Sequence, residues 1–167
     1  MGFKEINIRD WKANAVKAIN DDWALVTAGN PDSFNCMTIS WGGLGELWGQ
    51  DVAFVFIRPH RYTYEFMEAG QFFTLSFFGG GYKDELNFCG KNSGRNTDKI
   101  KNTGLIPVIF DGAVGFDQAD TVLVCEKIAF QDLDPTGFLD EKIEEEYPKK
   151  DYHRMYVGKI LKTYKKI

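Results

Sequence analysis

The sequence is poor in the residues that build common sites. It has two histidines, His60 and His153, far apart in the chain and outside any HExxH-type pair. A metal site made from them would need carboxylate help, and none is expected. The three cysteines, Cys36, Cys89 and Cys125, show no CxxC spacing. An odd count without that spacing argues against a disulfide framework and a zinc site, and reads as reduced thiols in a cytoplasm. Positive charge is short too: 20 Lys and Arg against 24 Asp and Glu leave a net charge of -4. Proteins that live on phosphate backbones carry the opposite balance, so nucleic acid is not an expected partner. Apolar runs such as Val52–Ile57 and Phe72–Phe78 are too brief to cross a bilayer. The first residues, Met1-Gly-Phe-Lys-Glu-Ile, hold no apolar stretch of the kind that directs secretion, which again favours the cytoplasm. There is no GxGxxG after a strand, no GxxxxGK[ST] and no GxSxG, so the standard dinucleotide, P-loop and nucleophile-elbow readings fail.

What the chain has in quantity is aromatic side chains, 15% of its 167 residues, with Phe alone supplying 14. Such an excess serves a large core, a subunit interface or a flat ring ligand. The length and the 44% hydrophobic content fit one globular domain over 1–167. Trp11, Ala15, Ala18 and Ile19 share one face of a helix expected over Asp10–Asn20, with Asp10 as N-cap. Trp23–Thr27, Phe34–Ser40, Asp51–Arg58 and Phe72–Phe78 read as strands, and Trp41–Gly49 as a glycine-rich loop carrying two indoles. Thr63 is expected to cap a short helix over Tyr64–Ala69, with further short helices at Lys83–Cys89 and Asp98–Thr103. Late strands are expected at Val108–Phe110, Val114–Phe116, Thr121–Gln131 and Arg154–Tyr164. An exposed helix is expected in Asp140–Lys150, ending before Pro148. Strands never alternate with long helices, so a mostly β, α+β domain with an antiparallel barrel is favoured over a doubly wound parallel sheet.

Three polar clusters stand out. Asn35, Thr38, Ser40 and Trp41 lie at a strand end, either as ordinary strand-end side chains or as a clasp for a flat heterocycle. Arg58-Pro-His-Arg61-Tyr62-Thr63 precedes a helix start, either as a solvated turn or as an anion site. Lys91, Ser93, Gly94, Arg95 and Lys99 repeat that chemistry, with Gly94 allowing close backbone approach. Two anion-competent loops in a net acidic, aromatic-rich chain point to a phosphorylated aromatic ligand.

Asn35-Cys-Met-Thr-Ile-Ser-Trp41-Gly-Gly, Ile57-Arg-Pro-His-Arg-Tyr-Thr63-Tyr-Glu-Phe66, Phe73-Thr-Leu-Ser-Phe77, Ser93-Gly-Arg-Asn-Thr-Asp-Lys99 and His153-Arg-Met-Tyr-Val-Gly158 occur in that order. Together they resemble the flavin reductase-like, FMN-binding split-barrel family, and its flavoredoxin-type members in particular. The family's loop more often reads Ser-Gly-Arg-Asp, where this chain has Asn96. The resemblance implies a six-stranded antiparallel Greek-key split barrel with short inserted helices. It implies a homodimer with FMN at or near the subunit interface. Asn35, Met37, Thr38, Ser40 and Trp41 would line the isoalloxazine. Arg58, Tyr62, Thr63, Lys91, Ser93, Gly94, Arg95 and Lys99 would serve the ribityl and phosphate end. NAD(P)H is the implied reductant. Lys91 would act electrostatically on the ring, and His153 would touch the ring or a nicotinamide unless it is a strand histidine bonded to a neighbour. The residues themselves leave open an electron-transfer flavoprotein reduced by a partner protein, or a module that binds flavin or haem.

Overall fold

The computed structural model describes residues 2–167. In chain order its strands are β1 (Phe3–Ile6), β2 (Ala24–Asn30), β3 (Ser33–Ile39), β4 (Gly42–Leu47), β5 (Gln50–Ile57), β6 (Phe72–Phe77), β7 (Pro107–Phe110), β8 (Ala113–Phe116), β9 (Thr121–Asp132) and β10 (Arg154–Lys166). The α-helices are α1 (Ala15–Asn20), α2 (Tyr62–Ala69), α3 (Lys83–Lys91) and α4 (Lys99–Thr103). The main sheet is antiparallel, in the order β3-β2-β6-β9-β10-β5-β4. β1 pairs with the far half of β10, and β7–β8 form a separate hairpin. The end strands β3 and β4 do not pair with each other, so the barrel is split.

Period-2 patterning explains the wall. In β2 and β9, Val26 and Leu123 face one core while Leu25, Val122 and Val124 face another. The first core fills the barrel with Phe73, Leu75, Ile57, Met67 and Tyr156. The second lies outside it, beneath α3, α4 and the β7–β8 hairpin, and includes Cys36, Leu86, Cys89 and Phe116. All three cysteines are free and buried. At Gly158 the core closes tightly on β10. A Cβ there would sit 2.3 Å from Phe73 Cζ and 3.0 Å from Cys125 Cβ.

All the strands the sequence predicts form. Four other expectations need correction. The helix does not begin at Asp10, which ends a 3-10 turn over Ile8–Asp10; α1 starts at Ala15, where the Asn14 side chain accepts the Lys17 N–H at 3.1 Å. Trp11 reaches the core without a helix, by packing on Phe77 at 4.9 Å between ring centroids. The glycine-rich loop contains a strand, β4. The Phe54 ring of β5 lies 3.8 Å and 3.9 Å from where Gly43 and Gly45 would carry a Cβ, covering the bare backbone. Thr63 does not cap α2: the N-cap is Arg61, and Thr63 is buried inside the helix. Finally, Asp140–Lys150 holds only a 3-10 helix, Glu141–Glu146, because Tyr147 turns inward and is buried.

Candidate functional site

β3 and β4 are consecutive in the chain yet lie at opposite ends of the sheet, so the link between them, Ser40-Trp41, bridges the split. A cavity of about 200 Å³ opens there, lined by Met37, Thr38, Ile39, Ser40, Trp41, Phe56, Arg58, Arg61 and His153. Met37 is buried, and the Thr38 hydroxyl donates to the Leu86 carbonyl, which ties β3 to α3. The Trp41 indole is 43% exposed and tilted against the His153 ring at 5.3 Å.

A second cavity of about 320 Å³ lies on the far side of Arg61. Its lining includes Asn35, Arg61, Tyr62, Thr63, Lys91, Ser93, Arg95 and Lys99. The 91–99 loop turns back on itself where the Asn96 and Thr97 N–H groups meet the Ser93 carbonyl at 3.1 and 3.2 Å. The Ser93 hydroxyl accepts the Arg95 N–H at 3.2 Å. Gly94 presses on Asn35 so closely that a Cβ would stand 2.1 Å from Asn35 Oδ1. Asn35 in turn donates from Nδ2 to the Thr63 hydroxyl at 2.8 Å, both residues being buried. β3, the start of α2 and the loop are thereby fixed to one another. Gly94 faces a third, wider cavity of about 760 Å³, which also touches Asn35, Tyr62, Arg95 and Lys99.

The cations divide into committed and uncommitted ones. Arg58 bonds Asp151 at 2.9 Å and the Glu146 carbonyl at 2.9 Å, and lies over the Tyr147 ring at 4.7 Å. Arg95 pairs with Glu65, bonds the His60 carbonyl at 3.1 Å and lies over Tyr62 at 4.8 Å. The Lys99 ammonium is buried between the Cys36 and Cys89 carbonyls, at 2.7 and 2.8 Å, and burial lowers its pKa. Arg61 is different. Among the described residues its guanidinium bonds only the Gly90 carbonyl, at 3.0 Å, and no carboxylate pairs with it. Burial, then the neighbouring Arg58 charge, lower its pKa. Lys91 also has no ion-pair partner among the described residues, and it lines the second cavity. His153 Nδ1 lies 2.6 Å from the Tyr147 hydroxyl. Burial first, and Arg58 second, hold the imidazole well below its usual range, at about 4.

The structure therefore gathers Met37, Thr38, Ser40, Trp41, Arg58 and His153 in one cavity. It gathers Asn35, Tyr62, Thr63, Lys91, Ser93, Arg95 and Lys99 in the next. Sequence reasoning put Arg61 in the anion-competent turn with Arg58 but gave it no place among the flavin contacts, although it joins the two cavities; it did not name Phe56 or Tyr147. Arg61 carried a usable signal, since it stands in the same turn as Arg58. Tyr147 carried none, because it sits at the end of a charged run that reads as solvated.

No protein-family model matches the chain, and no curated protein matches it. Solved structures do. An FMN-binding domain of a flavin reductases-like enzyme from Shewanella baltica OS155 superposes with a TM-score of 0.70 at 15% identity, over 98% of this chain and 77% of that one. Flavoredoxin of Desulfovibrio vulgaris (Miyazaki F) gives 0.68 at 20% identity, over 96% and 77%. An NADH:FAD oxidoreductase of Streptomyces globisporus C-1027, in complex with NAD and FAD fragments, gives 0.65 at 14% identity, over 87% and 74%. The chain thus has the fold of the FMN-binding, flavin reductase-like split-barrel proteins and flavoredoxins.

Proposed function

We propose that the chain is a flavin-dependent oxidoreductase that binds FMN non-covalently and moves electrons from NAD(P)H through it to an acceptor. The observation that carries this reading is Arg61, a half-buried guanidinium without a carboxylate at the junction of two donor-lined cavities. A partly desolvated cation of this kind favours an anionic ligand. The residues fit FMN in kind: a polar strand end beside an indole for the ring, and Arg61, Lys91 and Ser93 for the phosphate end.

When bound, the flavin supplies hydride acceptance and the onward release of electrons. The chain's own residues bind and orient. Met37–Trp41 and Phe56 line the cavity that would take the ring. Asn35 and Gly94 hold the 91–99 loop in place. Lys91 lines the second cavity, away from the ring cavity, so its positive charge would serve the phosphate end and not the ring. No side chain is required as nucleophile or general base.

The protein should purify yellow or turn yellow with added FMN, and heat denaturation should release all the flavin. A colourless protein with no FMN affinity at high micromolar concentration sinks the reading. Anaerobic mixing with NADH or NADPH is then expected to bleach the flavin absorbance. The likeness to flavoredoxin supports a second reading, an electron carrier reduced by a partner protein. Bleaching with a protein donor alone would select it.

The functional unit is proposed to be a cytoplasmic homodimer. Exposed Trp48, Ile109 and Phe130 offer apolar area for a second copy. Among the described residues no helix is long and apolar enough to cross a membrane. Sedimentation at low micromolar concentration should show a species of twice the 19.0 kDa chain mass. A single species at chain mass would rule the dimer out.

A further inference from the structure

Residues 133–153 form a strap that links β9 to β10 and borders the ring cavity at its last residue, His153. Its base closes where the Leu133 N–H meets the His153 carbonyl at 3.0 Å. Arg58 clamps it through Asp151 and the Glu146 carbonyl. Within it Tyr147 is buried, 4% exposed and stacked against Phe138 with ring centroids 6.1 Å apart. The strap ends at His153, which is 8% exposed and lines the cavity beside Trp41.

The 2.6 Å contact between the Tyr147 hydroxyl and His153 Nδ1 allows two proton arrangements. A phenol is a much stronger acid than a neutral imidazole N–H, and imidazole nitrogen is a better acceptor than phenolic oxygen. The favoured arrangement has the Tyr147 hydroxyl donating to Nδ1. The ring proton of neutral His153 then sits on Nε2, for which the protein offers no partner among the described residues. Burial first, and the charged groups around the ring second, keep it neutral. Arg58, Arg61 and His60 all oppose a second proton, and only Asp151 favours one.

We propose that Tyr147 is a positioning residue that fixes His153 as the Nε2–H tautomer and gives the ring cavity an uncharged, oriented hydrogen-bond donor for a carbonyl oxygen of a bound heterocycle. The identity of that heterocycle as flavin or nicotinamide rests on the function proposed above; the tautomer does not. As a neutral donor lining this cavity, His153 selects ligands that present an acceptor edge. It also separates His153 from proton transfer. An imidazole that titrates near pH 4 and already holds its neutral proton is a poor general acid at neutral pH.

Long-range proton–nitrogen NMR correlations on the full chain, labelled with 15N-histidine and free of flavin, test this directly. His153 should show a pyridine-type Nδ1 and a pyrrole-type Nε2, unchanged from pH 6 to pH 8. In Tyr147→Phe, which keeps the buried ring, His153 should populate both tautomers and its titration midpoint should rise. An Nδ1–H tautomer in the wild type, or a Tyr147→Phe spectrum identical to it, overturns the proposal. Titration with FMN should shift the Nε2 proton resonance, and Tyr147→Phe should weaken FMN roughly two- to tenfold, the scale of one neutral hydrogen bond. FMN that binds without moving that resonance refutes the ligand-facing part. Should FMN fail to bind the wild type, the functional reading falls, and the tautomer measurement still decides the role of Tyr147.

Discussion

Arg61→Ala is expected to weaken FMN binding by well over tenfold and to leave riboflavin binding almost unchanged. A phosphate monoester carries close to two negative charges near neutral pH, and riboflavin carries no phosphate. Arg58 and Arg95 already hold carboxylates, Asp151 and Glu65, so neither meets an added anion as a free charge. Arg61 does. Its guanidinium is half buried beside Arg58, and both features disfavour the cation, so an incoming anion offsets a cost the protein already bears. Removing one partner of a desolvated charge pair costs about 2–5 kcal/mol. Each 1.4 kcal/mol or so is a factor of ten in affinity. Flavin fluorescence titrations of both ligands measure the effect. Equal losses for FMN and riboflavin would place Arg61 at the ring or in the fold. Arg58→Ala and Arg95→Ala should do less to FMN, because each frees a carboxylate as well as removing a cation.

The largest effect on stability is expected from Gly158→Ala. The added methyl would stand 2.3 Å from Phe73 Cζ and 2.7 Å from Cε1, where no ordinary contact is possible. Phe73 is fully buried and cannot swing into solvent, and β10 is held on both sides by β5 and β9. Overpacking of this kind costs about 1–3 kcal/mol and occasionally more. For a domain of this size that is roughly 3–10 °C in Tm. Differential scanning calorimetry gives the loss directly. Adding Phe73→Leu should recover part of it, so the double variant loses less than the two single losses combined. Strict additivity would mean that the clash is relieved elsewhere.

Much of the wall was legible because period-2 alternation survives wherever one strand faces two cores, as in β2, β3 and β9. β4 was not, since three of its six residues are glycine and the ring that covers them, Phe54, belongs to the next strand. The site residues were legible as types and in sequence order, through the motifs around Asn35, Arg58 and Ser93. Their electrostatic roles were not. Whether an arginine is free or spent depends on partners that lie elsewhere in the chain, Asp151 for Arg58 and Glu65 for Arg95. Thr63 looked like a helix cap because it follows a turn, yet it lies buried under β3, where Asn35 uses its hydroxyl. Tyr147 shows the same limit, since its partner His153 stands on the other side of a turn that charge patterning reads as solvent.

β10 also governs the order in which this chain can fold. It meets β5 along its first half, β1 along its second and β9 along nearly all its length, and every one of those partners precedes it in the sequence. Phe3 faces Lys166, so one pairing spans almost the whole chain. A ribosome therefore releases β1, β5 and β9 with open edges, and none of them can be sealed until β10 emerges. Hairpins such as β2–β3 and β4–β5 can form early from local contacts, but closure of the wall is a late, long-range event. Pairings of that kind place β-rich domains at the slow, millisecond-to-second end of the folding range and leave their edges open to other chains meanwhile.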